Sequence, residues 1–232
     1  DQGGLSVEKT ITVAVNDVND APSTVALSAT AINENAAGAV VGTLTTTDED
    51  AGDTHTYSLT GADADSFEVV SGQLKLKDTV SANYETKANY AVTVTATDSG
   101  GLTTSQAFTV AVNDVNEAPT AIALSATAIN ENVAGAVVGT LTTTDEDTAD
   151  THTYVLSGTD ADSFEVVSGQ LKLKSGVSAN YETKSSYAVT VTATDSGTGG
   201  LTTSQAFTVT VNDINEAPTD IALSATVINE NA

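Results

Sequence analysis

The sequence repeats itself at a constant offset of 97 residues, Glu34 recurring as Glu131 and Ser66 as Ser163. Ala31-Ile32-Asn33-Glu34-Asn35 returns as Ala128-Ile129-Asn130-Glu131-Asn132, and the stretch from Ser66 to Lys77 returns unchanged from Ser163 to Lys174. A period of about one hundred residues is too long for a helical-hairpin or leucine-rich solenoid unit and matches one small domain. The chain therefore reads as a string of like domains. Asp1-Gln2-Gly3-Gly4-Leu5 matches Asp98-Ser99-Gly100-Gly101-Leu102, the tail of a repeat, and Val227 to Ala232 matches the head of one. The expected organisation is a C-terminal stub and linker of a preceding repeat over 1–20, full repeats over 21–117 and 118–216, and an N-terminal stub of a following repeat over 217–232. The second repeat carries two extra residues in its Gly197-Thr198-Gly199-Gly200 turn, a loop tip where insertion is tolerated. Such a chain is expected to be a segment of a longer array.

Charge narrows the partners. The 232 residues hold 31 acidic side chains against 7 basic ones, a net charge of −24. Nucleic acids and anionic membrane surfaces need a basic patch and are not expected partners; cations are. There is no Cys and no Met, so no disulfide framework, cysteine zinc site or redox thiol can form. No run of eighteen apolar residues is present, so membrane insertion is not expected.

The local pattern is that of strands. Tyr90, Val92, Val94 and Ala96 alternate with Ala91, Thr93, Thr95 and Thr97, and Phe108, Val110 and Val112 alternate with Thr109, Ala111 and Asn113. A period of two marks half-buried strands. Val25 to Ala29, Val40 to Thr45, Thr54 to Leu59, Phe67 to Val70 and Gln73 to Lys77 are further candidates, with Ser71-Gly72 as a tight hairpin turn. About seven strands per repeat, with regularly spaced turns, predict an all-β immunoglobulin-like Greek-key sandwich. Two such sandwiches joined end to end are expected.

Carboxylates recur at predicted strand ends and connectors. In the first repeat they are Glu34, Asp48-Glu49-Asp50, Glu85, Asp98 and the linker Asp114-Val115-Asn116-Glu117. In the second they are Glu131, Asp145 with Asp147, Glu182, Asp195 and Asp213-Ile214-Asn215-Glu216. Gathered at the poles of a sandwich, these charges would repel one another. A hard cation removes the repulsion, and calcium takes six to eight such oxygens in flexible geometry. With no Cys and one His per repeat, zinc and copper are poor fits.

These motifs, in this order, resemble the cadherin repeat, in particular the cadherin-like repeats strung in tandem in large bacterial surface proteins. The resemblance rests on Asn33-Glu34-Asn35, Asp48-Glu49-Asp50 followed by Tyr57-Ser58-Leu59, Asn83-Tyr84-Glu85, Ala96-Thr97-Asp98 with its glycine turn, and the linker from Asp114 to Pro119, the set recurring in the same order in the second repeat. It implies calcium bound between successive repeats. The complete ligand set would be Glu34, Asn83 and Glu85 from the upstream repeat, Asp114, Val115, Asn116 and Glu117 from the linker, and Asp145, Asp147 and Asp195 from the downstream repeat. Two partial sets follow by analogy: Asp17, Asn19, Asp20, Asp48, Asp50 and Asp98, and Glu131, Glu182, Asp213, Asn215 and Glu216. Asn83 and Asn180 stand where the family has Asp, Glu117 and Glu216 replace a linker Asp that Asp20 keeps, and the linker is one residue shorter than the family's. Two firm ions and a weaker or absent outer one are expected.

The implied role is a calcium-rigidified extender of an extracellular or cell-surface adhesin. Its partners are calcium and neighbouring repeats of the same chain. The alternative is a module that binds polysaccharide or like chains; against it, Trp is absent. Asp63-Ala64-Asp65 and Asp160-Ala161-Asp162 precede a mid-domain strand and are read as turns rather than metal motifs. His55 and His152 are read as strand residues beside Tyr57 and Tyr154. One His near Asp53 without an ordered nucleophile is a poor catalytic constellation, so no enzymatic activity is expected. The Lys75–Lys77 and Lys172–Lys174 pairs are read as a solvated strand face guarding an edge, and Tyr84 and Tyr181 as packing residues.

Overall fold

A computed structural model describes residues 2–224, 226 and 230. The chain divides into two compact units, Asp1–Val115 and Asn116–Ala232. In the first unit eight strands form: β1 (Thr24–Leu27), β2 (Ala31–Asn33), β3 (Val40–Thr47), β4 (Thr56–Thr60), β5 (Phe67–Val70), β6 (Gln73–Leu76), β7 (Asn89–Thr97) and β8 (Thr103–Asn113). One sheet has the order β1-β3-β6-β5 and the other β2-β8-β7-β4. The second unit repeats this with β9 (Ala121–Leu124), β10 (Ala128–Asn130), β11 (Val137–Thr144), β12 (Thr153–Ser157), β13 (Phe164–Val167), β14 (Gln170–Leu173), β15 (Ser186–Thr194) and β16 (Thr202–Asn212). Both units are β-sandwiches.

All seven expected strands form in each unit, and an eighth joins them. β2 is three residues long and pairs in parallel with β8. It lies beyond the reach of a periodicity argument, because three residues carry no pattern. The chain thus starts in one sheet and crosses to the other before β3. β8 also begins at Thr103, five residues ahead of the alternating run, paired with β7 out to Thr97↔Thr103.

Each core fills the space between the sheets. Phe67, Leu74, Leu76, Val92, Val94 and Val110 are buried, and Phe67 meets Tyr90 edge-on at 5.7 Å. Val and Thr dominate the strands because β-branched side chains suit the pleated surface. Ser71 and Gly72 link β5 to β6 with φ of 52° and 76°, the double positive φ of a type I′ hairpin. Lys75 and Lys172 do not guard an edge: β6 and β14 are interior strands. Lys75 lies opposite Glu68 in the ladder and pairs with it at 3.3 Å.

Residues 5–22 contain no strand. The segment Ser6–Asn16 corresponds in sequence to β8, yet Val7 and Val15 are more than 90% exposed. β8 pairs with β2 and β7, whereas this segment has no strand beside it among the described residues, and an isolated strand is not stable alone. Most of the expected repeat head from Val227 to Ala232 lies outside the described residues.

The topology sorts the acidic residues to two poles. The β3–β4 loop and the β7–β8 turn carry Asp48 to Asp53 and Asp98 to one end of the first sandwich. The β2–β3 and β6–β7 connections carry Glu34 and Asn83 to Glu85 to the other. Strands of nine to eleven residues separate these ends by about 30 Å.

Candidate metal centres at the poles of each sandwich

At the leading pole of the second unit, three parts of the chain converge. Asp145 opens the β11–β12 loop, and Asp147 and Asp150 follow in it. Asp195 starts the β15–β16 turn, and Asn116 and Glu117 precede β9. Oxygens of Asp145, Asp150 and Asp195 lie within 4.8 Å of one another, and Asp195 is buried, with 6% exposed. The Asn116 amide donates to Asp195 Oδ2 at 3.2 Å, and the Glu117 N–H donates to Asp147 Oδ2 at 2.8 Å. A cleft of about 360 Å³ is lined by Thr143, Thr144, Asp145, Asp147, Thr148, Asp150 and His152.

The Asp-Ser-Gly sequence that follows β15 has a separate use for each residue. Asp195 enters the cluster. Ser196 Oγ donates to Asp150 Oδ1 at 3.0 Å. At Gly197 a Cβ would run into the Asn116 side chain and lie 2.8 Å from Asp150 Oδ2. Only glycine lets the linker amide and Asp150 come this close.

The first unit builds the same pole. Asn19 donates to Asp98 Oδ2 at 3.1 Å, and the Asp20 N–H donates to Asp50 Oδ2 at 2.6 Å. Ser99 donates to Asp53, and Gly100 faces Asn19. Oxygens of Asp48, Asp53 and Asp98 form the corresponding triad. Asp17 is exposed.

The trailing poles are built around a buried glutamate. Glu34 is 3% exposed and accepts the Tyr84 N–H at 2.6 Å and the Val115 N–H at 2.7 Å. Glu85 and Asp114, next to those donors, are exposed. In the second unit Glu131, 1% exposed, accepts from Tyr181 at 2.8 Å and Ile214 at 2.7 Å. The Ile214 N–H first, then that of Tyr181, hold its carboxyl below the usual range. Its oxygens gather with those of Glu182, Asp213 and Glu216 within 4.8 Å. Asn132 donates to Glu216 at 2.6 Å, and Asn215 is exposed. Asn83 and Asn180 close turns, accepting from the N–H groups of Thr86 and Thr183.

Buried carboxylates need a counter-charge or dense hydrogen bonding. Among the described residues, the lysine ion pairs go to Asp63, Glu68, Asp78, Asp160 and Glu165. None of these is a candidate ligand. Asp150 Oδ2 is buried with no hydrogen-bond partner. An all-oxygen donor set, an orphaned carboxylate oxygen and a glycine that keeps the linker amide close fit a hard divalent cation.

Two residues of this pole escape the expected ligand sets. Asp53 and Asp150 join the triads, and their signal is the recurring spacing Asp-x-Asp-x-x-Asp-x-His. The histidine departs from its expected place: it sits just ahead of β4 or β12. His55 Nε2 lies 2.9 Å from Asp48 Oδ2, and His152 Nε2 lies 2.8 Å from Asp145 Oδ2. The bond from His55, followed by the Asp50 N–H, holds the Asp48 carboxyl below its usual range. The packing role expected of Tyr84 and Tyr181 does not hold in full: both are 39% exposed. Asp150→Asn is expected to weaken calcium binding about tenfold, close to 1.4 kcal/mol, by removing one charge from the triad. Calorimetric titration of the variant measures it; unchanged affinity would place Asp150 outside the metal shell.

The Asp-Ala-Asp turns are structural, as their position before a mid-domain strand predicts. Asp63 precedes a 3₁₀ turn at Ala64–Ser66. It accepts from Lys87 Nζ and, at 2.8 Å, from the Ala91 N–H. Asp160 does the same with Lys184 and Ala188. Each lysine also lies about 5 Å over a tyrosine ring, Tyr90 or Tyr187.

Comparison with known proteins places this architecture. The cadherin domain model matches residues 28–113 and 125–212. The chain belongs to the cadherin domain family. It is 28% identical over 226 residues to human Protocadherin Fat 1, covering 91% of this chain and 5% of that protein's length. Among solved structures, human Protocadherin-24 EC1-2 superposes with a TM-score of 0.63 at 24% identity, covering 85% of this chain and all of that one. PcdhgB3 EC1-4 gives 0.66 at 24% identity, covering 87% of this chain and 52% of that chain. These solved structures share the fold. Protocadherin Fat 1 and Protocadherin-24 are human proteins, and the narrower likeness to bacterial surface repeats rests on the motifs alone.

Proposed function

We propose that this chain is an extender segment of an extracellular adhesin, of the large bacterial cell-surface kind, in which calcium stiffens the joints between successive cadherin repeats. One observation carries the reading. Each sandwich holds buried carboxylates at both poles, and none of them has a lysine partner among the described residues. Empty, such poles repel, and only hydrogen bonds to those same carboxylates, from Val115 to Glu34, Asn116 to Asp195 and Glu117 to Asp147, hold the linker residues. Filled, the ions together would tie Glu34 and Glu85, the linker oxygens of Asp114, Asn116 and Glu117, and the aspartates Asp145, Asp147, Asp150 and Asp195 into one ordered arrangement. Binding then favours that arrangement by mass action. Calcium supplies charge neutralisation and flexible oxygen coordination. The protein supplies two backbone N–H groups that aim Glu34, a serine that aims Asp150, and a glycine that admits Asn116.

Small-angle scattering tests the mechanical half of the proposal. With calcium the particle is expected to be extended, with a well-defined maximum dimension. With chelator the distance distribution should broaden and its mean shorten. Identical profiles in the two conditions would sink the extender reading.

A further inference from the structure

Each leading pole carries a histidine that an all-oxygen ligand set does not use. From core to pole, the inward row of β11 runs Leu141, Thr143, Asp145, and that of β12 runs Leu156, Tyr154, His152, since side chains two apart share a face of a strand. Leu141 is buried and Leu156 packs on the core. The Thr143 and Tyr154 hydroxyls are 2.8 Å apart, and His152 Nε2 lies 2.8 Å from Asp145 Oδ2. β11 and β12 belong to different sheets. The core between the sheets therefore ends in two polar rungs, and the outer rung holds a carboxylate of the triad. The His152 and Asp145 side chains are only 12% and 4% exposed. The first unit repeats both rungs, Thr46 with Tyr57 at 2.9 Å and His55 with Asp48 at 2.9 Å. They are kept although the loop between them changes from Ala51-Gly52 to Thr148-Ala149.

The outer rung closes a loop. Asp145 and His152 stand at the two ends of the β11–β12 connection, which carries Asp147 and Asp150. Asp150 Oδ2 is buried there with no hydrogen-bond partner. A loop pinned at both ends has less freedom to lose when an ion orders it.

The donor is also of a suitable kind. A carboxylate only accepts, so the ring donates from Nε2. An imidazole can do this while neutral, whereas a lysine would cancel the charge that attracts a cation. The other side-chain donors to the triad, Asn116 to Asp195 and Ser196 to Asp150, are neutral as well. As a ligand the ring is a poor choice, because calcium takes oxygen.

We infer that His55 and His152 are positioning residues for the cation: each holds the first aspartate of its pole, and with it the β3–β4 or β11–β12 loop, in the geometry that binds the ion. The inference rests on the calcium reading above. Partners that orient a metal ligand ordinarily change affinity by about ten- to a hundredfold.

Calorimetric calcium titration of this chain at about pH 8, where an imidazole is ordinarily neutral, tests the role. His55→Leu with His152→Leu should lower the affinity at least about tenfold. His55→Gln with His152→Gln restores an N–H donor and should stay within about threefold of the parent. Tyr57→Phe with Tyr154→Phe removes only the inner rung and should also stay within about threefold. A merely structural histidine would give leucine variants that melt lower in chelator yet bind calcium as tightly as the parent. That result overturns the proposal, as do leucine and glutamine variants that bind alike, or equal weakening by the leucine and phenylalanine pairs. If the leucine pair fails to fold by circular dichroism, NMR of the isotope-labelled imidazoles in the parent decides. An Nε2–H that shifts on adding calcium supports the role, and an Nδ1–H tautomer or an Nε2–H unmoved by calcium overturns it. A parent that binds no calcium sinks the extender reading and this proposal together. A parent that binds it, with leucine variants unimpaired, removes the histidine role alone.

Discussion

Chelating calcium is expected to lower the melting temperature of this chain by about 10–20 °C and to open its linker to proteolysis. A ligand at one hundred times its dissociation constant stabilises the state that binds it by about 2.7 kcal/mol. For a domain of about one hundred residues, 1 kcal/mol moves the melting temperature by about 4–8 °C. One such ion per sandwich therefore gives the stated shift. Without the ion, Asp98 and Asp195 remain buried among other carboxylates, and self-repulsion acts against the fold. A glutamate-specific protease should cut after Glu117 with chelator far faster than with calcium. Equal melting curves and equal cleavage in the two conditions would remove calcium from the account of this protein. Magnesium is a useful second arm, since it keeps its waters and should protect less.

The fold was legible because repetition and period-two alternation carry it. A repeat near one hundred residues sets the domain count, and alternation in β7 and β8 places the core on Val92, Val94, Val110 and Val112. β2 escaped notice because its role depends on parallel pairing with β8, a contact about eighty residues away in sequence. The edge role expected of Lys75 failed for a related reason. Alternation shows which residues face outward but not which strand has a neighbour. At the poles, acidic motifs marked Asp145, Asp147 and Asp195, but not the residue that completes the triad. Asp150 reads as one more loop aspartate until the fold brings Ser196 and Gly197 against it. His152 was misplaced because a histidine one residue ahead of a strand looks like part of it. Its partner is Asp145, seven residues back.

Asp195→Asn and Asp160→Asn should fail in opposite ways. Both residues are aspartates at strand ends in the same unit, and local sequence barely separates them. Asp195 is buried with Asp145 and Asp150 near it. Replacing it by Asn removes one charge from a site whose affinity follows charge count, and calcium binding should weaken about a hundredfold, near 2.7 kcal/mol. In chelator the same variant should differ from the parent by less than about 1 kcal/mol, because the repelling charge that is gone offsets the lost acceptor for the Asn116 amide. Asp160 instead clasps Lys184 and the Ala188 N–H. Asp160→Asn keeps one acceptor and loses the ion pair. It should cost about 1 kcal/mol with or without calcium and leave calcium affinity unchanged. The lysine, then the Ala188 N–H, hold the Asp160 carboxyl below its ordinary value, so the unfolded chain takes up a proton at higher pH than the folded one. The contribution of the clasp is therefore full above the ordinary carboxylate value of about 3.9 and is lost as pH falls below it through the depressed native value. Acid titration of stability in chelator should show this loss in the parent and much less of it in Asp160→Asn. If both variants change calcium affinity alike, the division of the acidic residues into metal ligands and structural clasps is wrong.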